Sequence, residues 1–345
     1  MSGARNAIDS RRPAPTPPPY PQGWYAVGFS RELRAGSVLT RQFMGREIVL
    51  FRTASGRPAA VQAHCPHLGA HLGRGGVVMG ENLRCPFHGF QFDTTGSCAA
   101  TPYGSPPPAA RLGVLELREV CGALLLFHDP LGAEATWEVT APEQLDREWW
   151  PVGHATLRHR GHPQEVTENS ADLGHLTVLH GFRNVEVLEP LRVDGQRLHT
   201  RYAIRRRTPF LPGSLPLEFD VHVDGLGFSR VELTMPTLGW QLRQLVLPTP
   251  IDRDRLELRL ALTVRRRGRA WAGPDLLLQR FALHAFVSEV RADIAIWDHK
   301  CYLGRPALAA GDGPIGRYRK WAQQFYQGDS EPDTAENPFA SSEVS

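Results

Sequence analysis

Residues 65–90 contain two short patterns of metal-binding side chains, CPHLGAHL at positions 65–72 and CPFHGF at positions 85–90. Each pattern supplies one cysteine and one histidine: Cys65 with His67, and Cys85 with His88. Zinc fingers prefer a longer gap than the single residue between Cys65 and His67. Two sulfur and two nitrogen ligands suit a two-iron cluster in which one iron takes the thiolates and the other the imidazoles. The four side chains therefore predict a [2Fe–2S] cluster, with a zinc site as the alternative.

The two patterns resemble the Rieske domain of the ring-hydroxylating and related oxygenases. Respiratory Rieske proteins are similar but have an extra cysteine in each loop, where this sequence has Ala70 and Phe87, and a serine in place of Phe90. The resemblance to the oxygenases implies an N-terminal all-β Rieske domain. Without the contacts of the respiratory proteins, the cluster is expected to have a low reduction potential, which suits electron delivery to an oxygen-activating iron.

Local patterns place this domain at 21–130. Short apolar runs broken by turns predict strands, the clearest at 47–51, 59–62, 114–117 and 123–127. The proline-rich segment 1–20 predicts a disordered tail, and 331–345 a flexible one. Residues 131–330, which begin with a linker predicted at 130–142, predict a second domain. Alternating patterns over 184–265 give this domain an antiparallel sheet.

A second group of candidate ligands lies in residues 169–180, NSADLGHLTVLH, in a region predicted to be helical from about 165. His175 and His180 are five residues apart, which on a regular helix separates them by about 140°. Both can reach one metal only if the helix ends or bulges between them. Asp172 is three residues before His175 and would share its face. From the residues alone, two partly buried histidines with ordinary hydrogen bonds remain the alternative.

A long helix is predicted from 275 to about 297, after Gly273-Pro274. Asp293 lies within its apolar stripe, between Val290 and Trp297. A carboxylate there requires a cation or a metal as its partner. Asp298 and Glu289 are the competing acids.

In the oxygenases that the Rieske patterns resemble, the motif N-x-x-D-x-x-H-x(4)-H stands at this place, and residues 169–180 match it in full. The resemblance implies that His175, His180 and Asp293 bind a mononuclear Fe(II). It also implies that Asp172 connects His175 to a Rieske histidine of a neighbouring subunit, and it gives Asn169 a role in supporting the ligands. The fold implied for this catalytic domain is α+β, a helix grip in which the antiparallel sheet surrounds the long C-terminal helix.

The C-terminal segments DIAIWDHKCY (293–302) and RKWAQQFY (319–326) look like the steroid-acting branch of these oxygenases, which contains the 3-ketosteroid 9α-hydroxylase oxygenase and the cholesterol 7-desaturase. The resemblance implies hydroxylation or desaturation of a bulky apolar substrate with O₂. The resemblance also implies that electrons come from an NAD(P)H-dependent reductase, directly or through a ferredoxin. The expected assembly is a homotrimer. The alternatives are an oxygenase or demethylase for a small aromatic or alkylamine, and a Rieske electron carrier without oxygenase activity.

The composition excludes other classes. Net charge is +3, and no long basic run supports nucleic-acid binding. No stretch approaches the ~20 apolar residues of a membrane span, and the N-terminus lacks the apolar core of a signal peptide. Five cysteines, an odd number, argue against a disulfide framework. A cytoplasmic setting is expected.

Overall fold

The computed structural model describes residues 20–104, 108–140, 148–207, 213–309 and 311–326. Apart from Tyr20, the predicted tail at 1–20 lies outside the described residues, and so does the predicted tail at 331–345. Two β-rich regions, one on each side of the predicted linker at 130–142, make up the described part.

The first region consists of eleven short strands in three antiparallel sheets among the described residues. The sheets have the strand orders β1-β11-β10, β2-β3-β4-β9 and β5-β6-β7-β8. The strands are β1 (Gly23–Phe29), β2 (Val38–Phe43), β3 (Arg46–Arg52), β4 (Pro58–Gln62), β5 (Val77–Met79), β6 (Asn82–Arg84), β7 (Gln91–Phe92), β8 (Cys98–Ala100), β9 (Val114–Leu115), β10 (Leu117–Val120) and β11 (Ala123–His128). The predicted all-β domain is confirmed, although the strand expected at 114–117 is divided between β9 and β10.

The second region is a seven-stranded antiparallel sheet with four α-helices among the described residues. Its strand order is β12-β18-β17-β16-β15-β14-β13. The strands are β12 (Gly153–Arg160), β13 (Arg183–Asp194), β14 (Arg197–Arg207), β15 (Ser214–Asp224), β16 (Phe228–Met235), β17 (Trp240–Pro250) and β18 (Arg255–Val264). The helices are α1 (Pro163–Glu168), α2 (Gly174–Val178), α3 (Ala272–Trp297) and α4 (Ile315–Ala322).

The long helix α3 packs on one face of this sheet, as predicted. Its buried side chains Phe286, Val290 and Trp297 share a core with Leu258 and Leu260 of β18. Burial of each such side chain is worth about 1.5–3 kcal/mol, so this contact fixes the helix on the sheet. The predicted helix grip is therefore confirmed, and residue 293 is held over the inner face.

The segment predicted as one helical region from about 165 to 180 is instead two short helices. Helix α1 ends at Glu168 and α2 begins at Gly174, with a turn between them. Pro163 begins α1, where its missing N–H needs no partner, and the ring of His162 accepts a hydrogen bond from the N–H of Gln164 at 3.2 Å. The break leaves Asp172 in a turn immediately before α2, the helix that carries His175.

The two regions pack directly against each other through β1 and β17. The hydroxyl of Thr249 and the guanidinium of Arg259 both donate to the carbonyl oxygen of Ala26, each at 2.6 Å. Gly227 lies so close to Trp24 that a Cβ atom there would be 2.2 Å from the carbonyl oxygen of Trp24. The regions therefore form one packed body.

Candidate metal centres

The two Cys/His patterns form two loops of the same shape beside the β5–β8 sheet. The second loop joins β6 to β7, which pair through Arg84 and Gln91. In each loop the N–H of the cysteine donates to the carbonyl five residues further on, at 2.9 Å for Cys65 and 2.8 Å for Cys85. Gly69 in the first loop has φ +76° and Gly89 in the second loop has φ +69°, a backbone conformation that favours glycine. The repeated turn gives both loops the same way of presenting one sulfur and one nitrogen.

The sulfur atoms lie inside and the imidazoles lie outside. Cys65 and Cys85 are 3% and 2% exposed, whereas the rings of His67 and His88 lie nearer the surface, with centroids 4.8 Å apart. Burial, together with the neighbouring Cys85 thiol, raises the pKa of Cys65 to about 11, against the opposing effect of backbone N–H groups. A thiol in such a place ionises when a metal cation binds it. Two inner sulfurs and two outer nitrogens fit a [2Fe–2S] cluster.

Exposed apolar side chains surround the two histidines. Phe90 stacks on His67 with ring centroids 4.3 Å apart. Leu68, Phe87 and Tyr103 are 65%, 64% and 60% exposed, and these three residues are called the cluster rim below. The imidazole side of the candidate cluster site is therefore bordered by exposed apolar side chains.

The second centre gathers His175, His180 and Asp293. One ligand atom of each lies within 4.8 Å of the others, and Nε2 of His180 is 3.3 Å from Oδ1 of Asp293. The angular problem of the five-residue spacing is absent because α2 ends at Val178, before His180. Gly181, with φ +66°, turns the chain away immediately afterwards.

Hydrogen bonds orient the two imidazoles. Nδ1 of His175 donates to the carbonyl oxygen of Asp172 at 2.6 Å, which leaves its Nε2 for a metal. The hydrogen bond with Asp293 raises the pKa of His180. A divalent cation can replace the proton shared between His180 and Asp293. Two imidazoles and one buried carboxylate are the ligands of a non-haem Fe(II) site with open positions, so the residues fit the metal.

The structure separates Asp293 from its two competitors. Asp293 is 7% exposed and lies on the buried side of α3. Asp298 instead accepts a hydrogen bond from the N–H of Arg160 at 2.7 Å. Glu289 forms an ion pair with Arg206, and burial raises its pKa. Of the three acids, only Asp293 lies with the two histidines.

Asp172 lies at the surface end of the same site. Its Oδ1 accepts a hydrogen bond from the N–H of His175 at 3.2 Å, and its side chain is 30% exposed. Burial opposes its ionisation, but the hydrogen bonds and charge of His175 outweigh burial and lower the pKa of Asp172. Beside it, Val178 and Leu179 of the α2 end are 89% and 37% exposed, and these two residues are called the helix patch below. Asn169 follows α1 and lines the cavity described next.

A cavity of about 380 Å³ lies between the inner face of the sheet and α3. It reaches all three candidate iron ligands, and most other lining side chains are aliphatic or aromatic, such as Leu217 and Phe286. The sequence patterns predicted the candidate ligands but not the cavity, since its walls come from strands distant in sequence.

A buried ion pair behind α1 was also absent from the sequence predictions. Glu168 is 7% exposed and accepts from Nε and Nη2 of Arg319 at 2.6 and 3.0 Å. Nζ of Lys300 is 3.8 Å from Glu168. Because 151 positions separate Glu168 from Arg319, no local pattern signals the pair. It fastens α4 to the turn that carries Asp172.

Replacing Arg319 with leucine is expected to destabilise the protein by about 3 kcal/mol, because Glu168 would remain buried without the guanidinium that now donates two hydrogen bonds to it. Thermal unfolding should show a fall in Tm of several degrees, and metal analysis a partial loss of mononuclear iron. Arg317→Leu is the matched control, since Arg317 donates to a backbone carbonyl, that of Leu191 at 2.8 Å, and not to a buried acid. Equal Tm values for the two variants would contradict the assignment.

Comparison with known families agrees with both centres. Residues 23–116 match the family model of the Rieske [2Fe-2S] domain. Residues 126–326, more than half of the 345-residue chain, match the 3-ketosteroid 9alpha-hydroxylase C-terminal domain. The chain belongs to the Rieske oxygenases. It is thus an enzyme that uses a [2Fe–2S] cluster, a mononuclear iron, O₂ and electrons supplied by a reductase.

Individual relatives cover nearly all of this oxygenase. Cholesterol 7-desaturase nvd of Drosophila melanogaster is 30% identical over 339 residues, which are 91% of this chain and 77% of that protein. The oxygenase component of 3-ketosteroid-9-alpha-monooxygenase from Rhodococcus rhodochrous is 25% identical over 91% of this chain and 86% of its own. The crystal structure of dicamba monooxygenase bound to dicamba matches with a TM-score of 0.70 at 20% identity, over 88% of this chain and 97% of that one. At that identity the structural match shows the fold alone.

The described residues include no helix that is long and apolar enough to span a bilayer.

Proposed function

We propose that this Rieske oxygenase hydroxylates or desaturates a steroid or sterol at a C–H bond held beside His175, His180 and Asp293. The apolar cavity that ends at these residues is the observation that supports the proposal. Its charged lining residues beyond the site are few: Arg206 and Glu289 pair with each other, and Arg207 is exposed. A neutral, bulky hydrocarbon suits this lining, and the named relatives act on cholesterol and a 3-ketosteroid.

The ligand assignments belong to the same proposal. Cys65 and Cys85 bind one iron of the cluster, and His67 and His88 bind the other. His175, His180 and Asp293 bind the mononuclear iron. When bound, the cluster supplies single electrons and the mononuclear iron activates O₂.

The protein's own residues orient the ligands and exclude water. The Asp172 carbonyl fixes the ring of His175, and the negative charge of Asp293 balances part of the metal charge. The apolar walls hold the substrate and keep bulk water from the site. The domain division is proposed at residue 130.

Electron transfer is proposed to pass between subunits. Within the part of the chain that the structure describes, no hydrogen bond joins Asp172 to His67 or His88. The cluster rim and the helix patch are both exposed and apolar, and each lies beside one of the two centres. Head-to-tail contact between the cluster rim of one chain and the helix patch of the next is a heterologous contact, which forms a ring when its rotation closes. Asp172 of the second chain would then meet a cluster histidine of the first. A ring of three subunits is the proposed assembly.

The setting and partner follow from the same chemistry. All five cysteines are unpaired, which is typical of a reducing cytoplasm. We therefore place the oxygenase there, with an NAD(P)H-dependent reductase, acting directly or through a ferredoxin.

Turnover with a panel of sterols, 3-ketosteroids and small aromatic acids, followed by mass spectrometry, tests the substrate. We expect oxidised products from steroids or sterols only. Ala285→Phe, which narrows the cavity, should lower kcat/KM for the steroid at least tenfold, since ~1.4 kcal/mol of lost binding is a factor of ten. Ala295→Phe, on the exposed side of α3, is the matched control and should retain turnover. Products from aromatic acids alone would establish the small-aromatic alternative.

A further inference from the structure

A second group of metal-binding side chains lies on the sheet face opposite the cavity. His199 of β14 pairs directly with His222 of β15 in the strand register. Asp220 precedes His222 by two residues, so its side chain points to the same face. The neighbouring Val221 and Val223 are buried on the other face, in a hydrophobic core. The three polar residues therefore form a group separate from the proposed iron site.

The distances match those between ligands of one metal ion. Nε2 of His199 is 2.7 Å from Oδ1 of Asp220, and Nε2 of His222 is 3.1 Å from the same oxygen. One ligand atom of each residue lies within 4.8 Å of the others. Ligands bound tetrahedrally to zinc at 2.0–2.2 Å are about 3.3 Å apart. A bound metal would replace the contacts that Asp220 now makes with the two imidazoles.

Charges of both signs surround the three residues. Arg230, directly opposite His222 on β16, pairs with Glu232 at 2.6 Å, and Arg243 contacts the same carboxylate. Arg201 pairs with Glu189 at 2.8 Å, and the exposed Arg192 lies opposite His199 on β13. Asp220 is therefore the acid that would balance the charge of a bound cation.

The exposure of the three residues also suits binding. The side chains of His199, Asp220 and His222 are 30%, 37% and 34% exposed. That exposure leaves room for water as the fourth ligand.

We propose that His199, Asp220 and His222 form a binding site for a divalent transition metal of the zinc class, which cross-links β14 and β15. The site holds the two strands by metal–ligand bonds in addition to their backbone ladder. It is independent of the oxygenase reaction, so its test does not depend on turnover.

Equilibrium dialysis of the iron-loaded full-length protein against Zn²⁺, followed by analysis of both metals, tests the site. We expect one zinc per chain with no loss of iron, and a Tm that rises with zinc concentration. His199→Gln, His222→Gln and Asp220→Asn should each lower the zinc affinity at least tenfold and abolish the Tm rise. His284→Gln, an exposed histidine on α3, is the matched control and should leave both unchanged.

Two further readouts make the outcome unambiguous. The visible spectrum of the cluster shows whether each variant is folded. Co²⁺ in place of Zn²⁺ should give the visible absorption bands of a four-coordinate site, and His222→Gln should remove these bands. Zinc uptake that matches iron loss, or equal zinc binding by wild type and His199→Gln, would overturn the proposal. Absence of binding at ~100 µM Zn²⁺ would overturn it as well, because a site of that kind would stay empty at cellular zinc levels.

Discussion

Asp293→Ala protein is expected to retain the visible spectrum of the [2Fe–2S] cluster and to lose the mononuclear iron, so that the iron content falls from three to two per chain. Asp293 supplies the only carboxylate among the three side chains that gather at this site. Its removal leaves His175 and His180, two neutral ligands that hold Fe(II) weakly. Loss of an outer hydrogen-bond partner already costs roughly 10–100-fold in metal affinity, and loss of a ligand should exceed this. Turnover should fall to background.

Asp298→Ala is the matched control because Asp298 follows the same helix but accepts the backbone N–H of Arg160 and lies apart from the two histidines. It should retain three irons per chain. Iron analysis together with the cluster absorbance separates a lost metal from an unfolded protein, because the cluster lies in the other region of the fold. If Asp293→Ala retains three irons, another residue supplies the carboxylate and the assignment is wrong.

The candidate metal ligands were largely predictable from local sequence. The Cys65 and Cys85 loops were predictable because their ligands are close in sequence and their glycines fix the same local turn. Asp293 was predictable because a carboxylate in an apolar helical stripe is costly to bury without a cation or a metal beside it. The histidine pair was less certain because its geometry depends on the end of α2 at Val178, which spacing alone does not determine.

Other features depend on long-range pairing and were not predictable. Glu168 meets Arg319 only because α4 returns beneath α1. His199 and His222 face each other only in the observed register of β14 and β15, and a shift of one residue would turn one of them to the opposite face. The cavity requires the packing of α3 on a sheet whose strands span more than a hundred residues.

Asp172→Asn protein is expected to retain all three irons and to turn over on the order of 100-fold more slowly, the upper part of the range for loss of a ligand's partner. Asparagine retains an oxygen that can accept the N–H of His175, so α2 should remain in place. It removes the charge that the proposed electron path uses. Metal analysis and single-turnover reduction of the mononuclear site measure the effect. Normal turnover would rule out Asp172 as the bridge.

A mixed assembly shows whether that path crosses between chains. Cys85→Ser removes the cluster from a chain and leaves its Asp172 and iron ligands intact. Alone, Cys85→Ser is expected to be inactive and Asp172→Asn to retain only about 1% of the wild-type rate. Co-assembly places an intact cluster of an Asp172→Asn chain beside an intact bridge and iron of a Cys85→Ser chain. Random assembly at equal amounts makes roughly a quarter of the contacts in a closed ring productive, so activity should return to about that fraction of wild type.

Transfer within one chain predicts no recovery at any ratio, because every chain then lacks either the cluster or the bridge. Size-exclusion chromatography confirms that the mixed assembly forms. The iron content of Cys85→Ser, one per chain, confirms that its catalytic region is folded. Changing Val178 of the helix patch to aspartate in both chains should then abolish the recovery, since a charge there opposes burial against the cluster rim. If the recovery persists after this change, electrons still pass between chains but the contact lies elsewhere. If no recovery occurs with unchanged helix patches, the electron path lies within one chain.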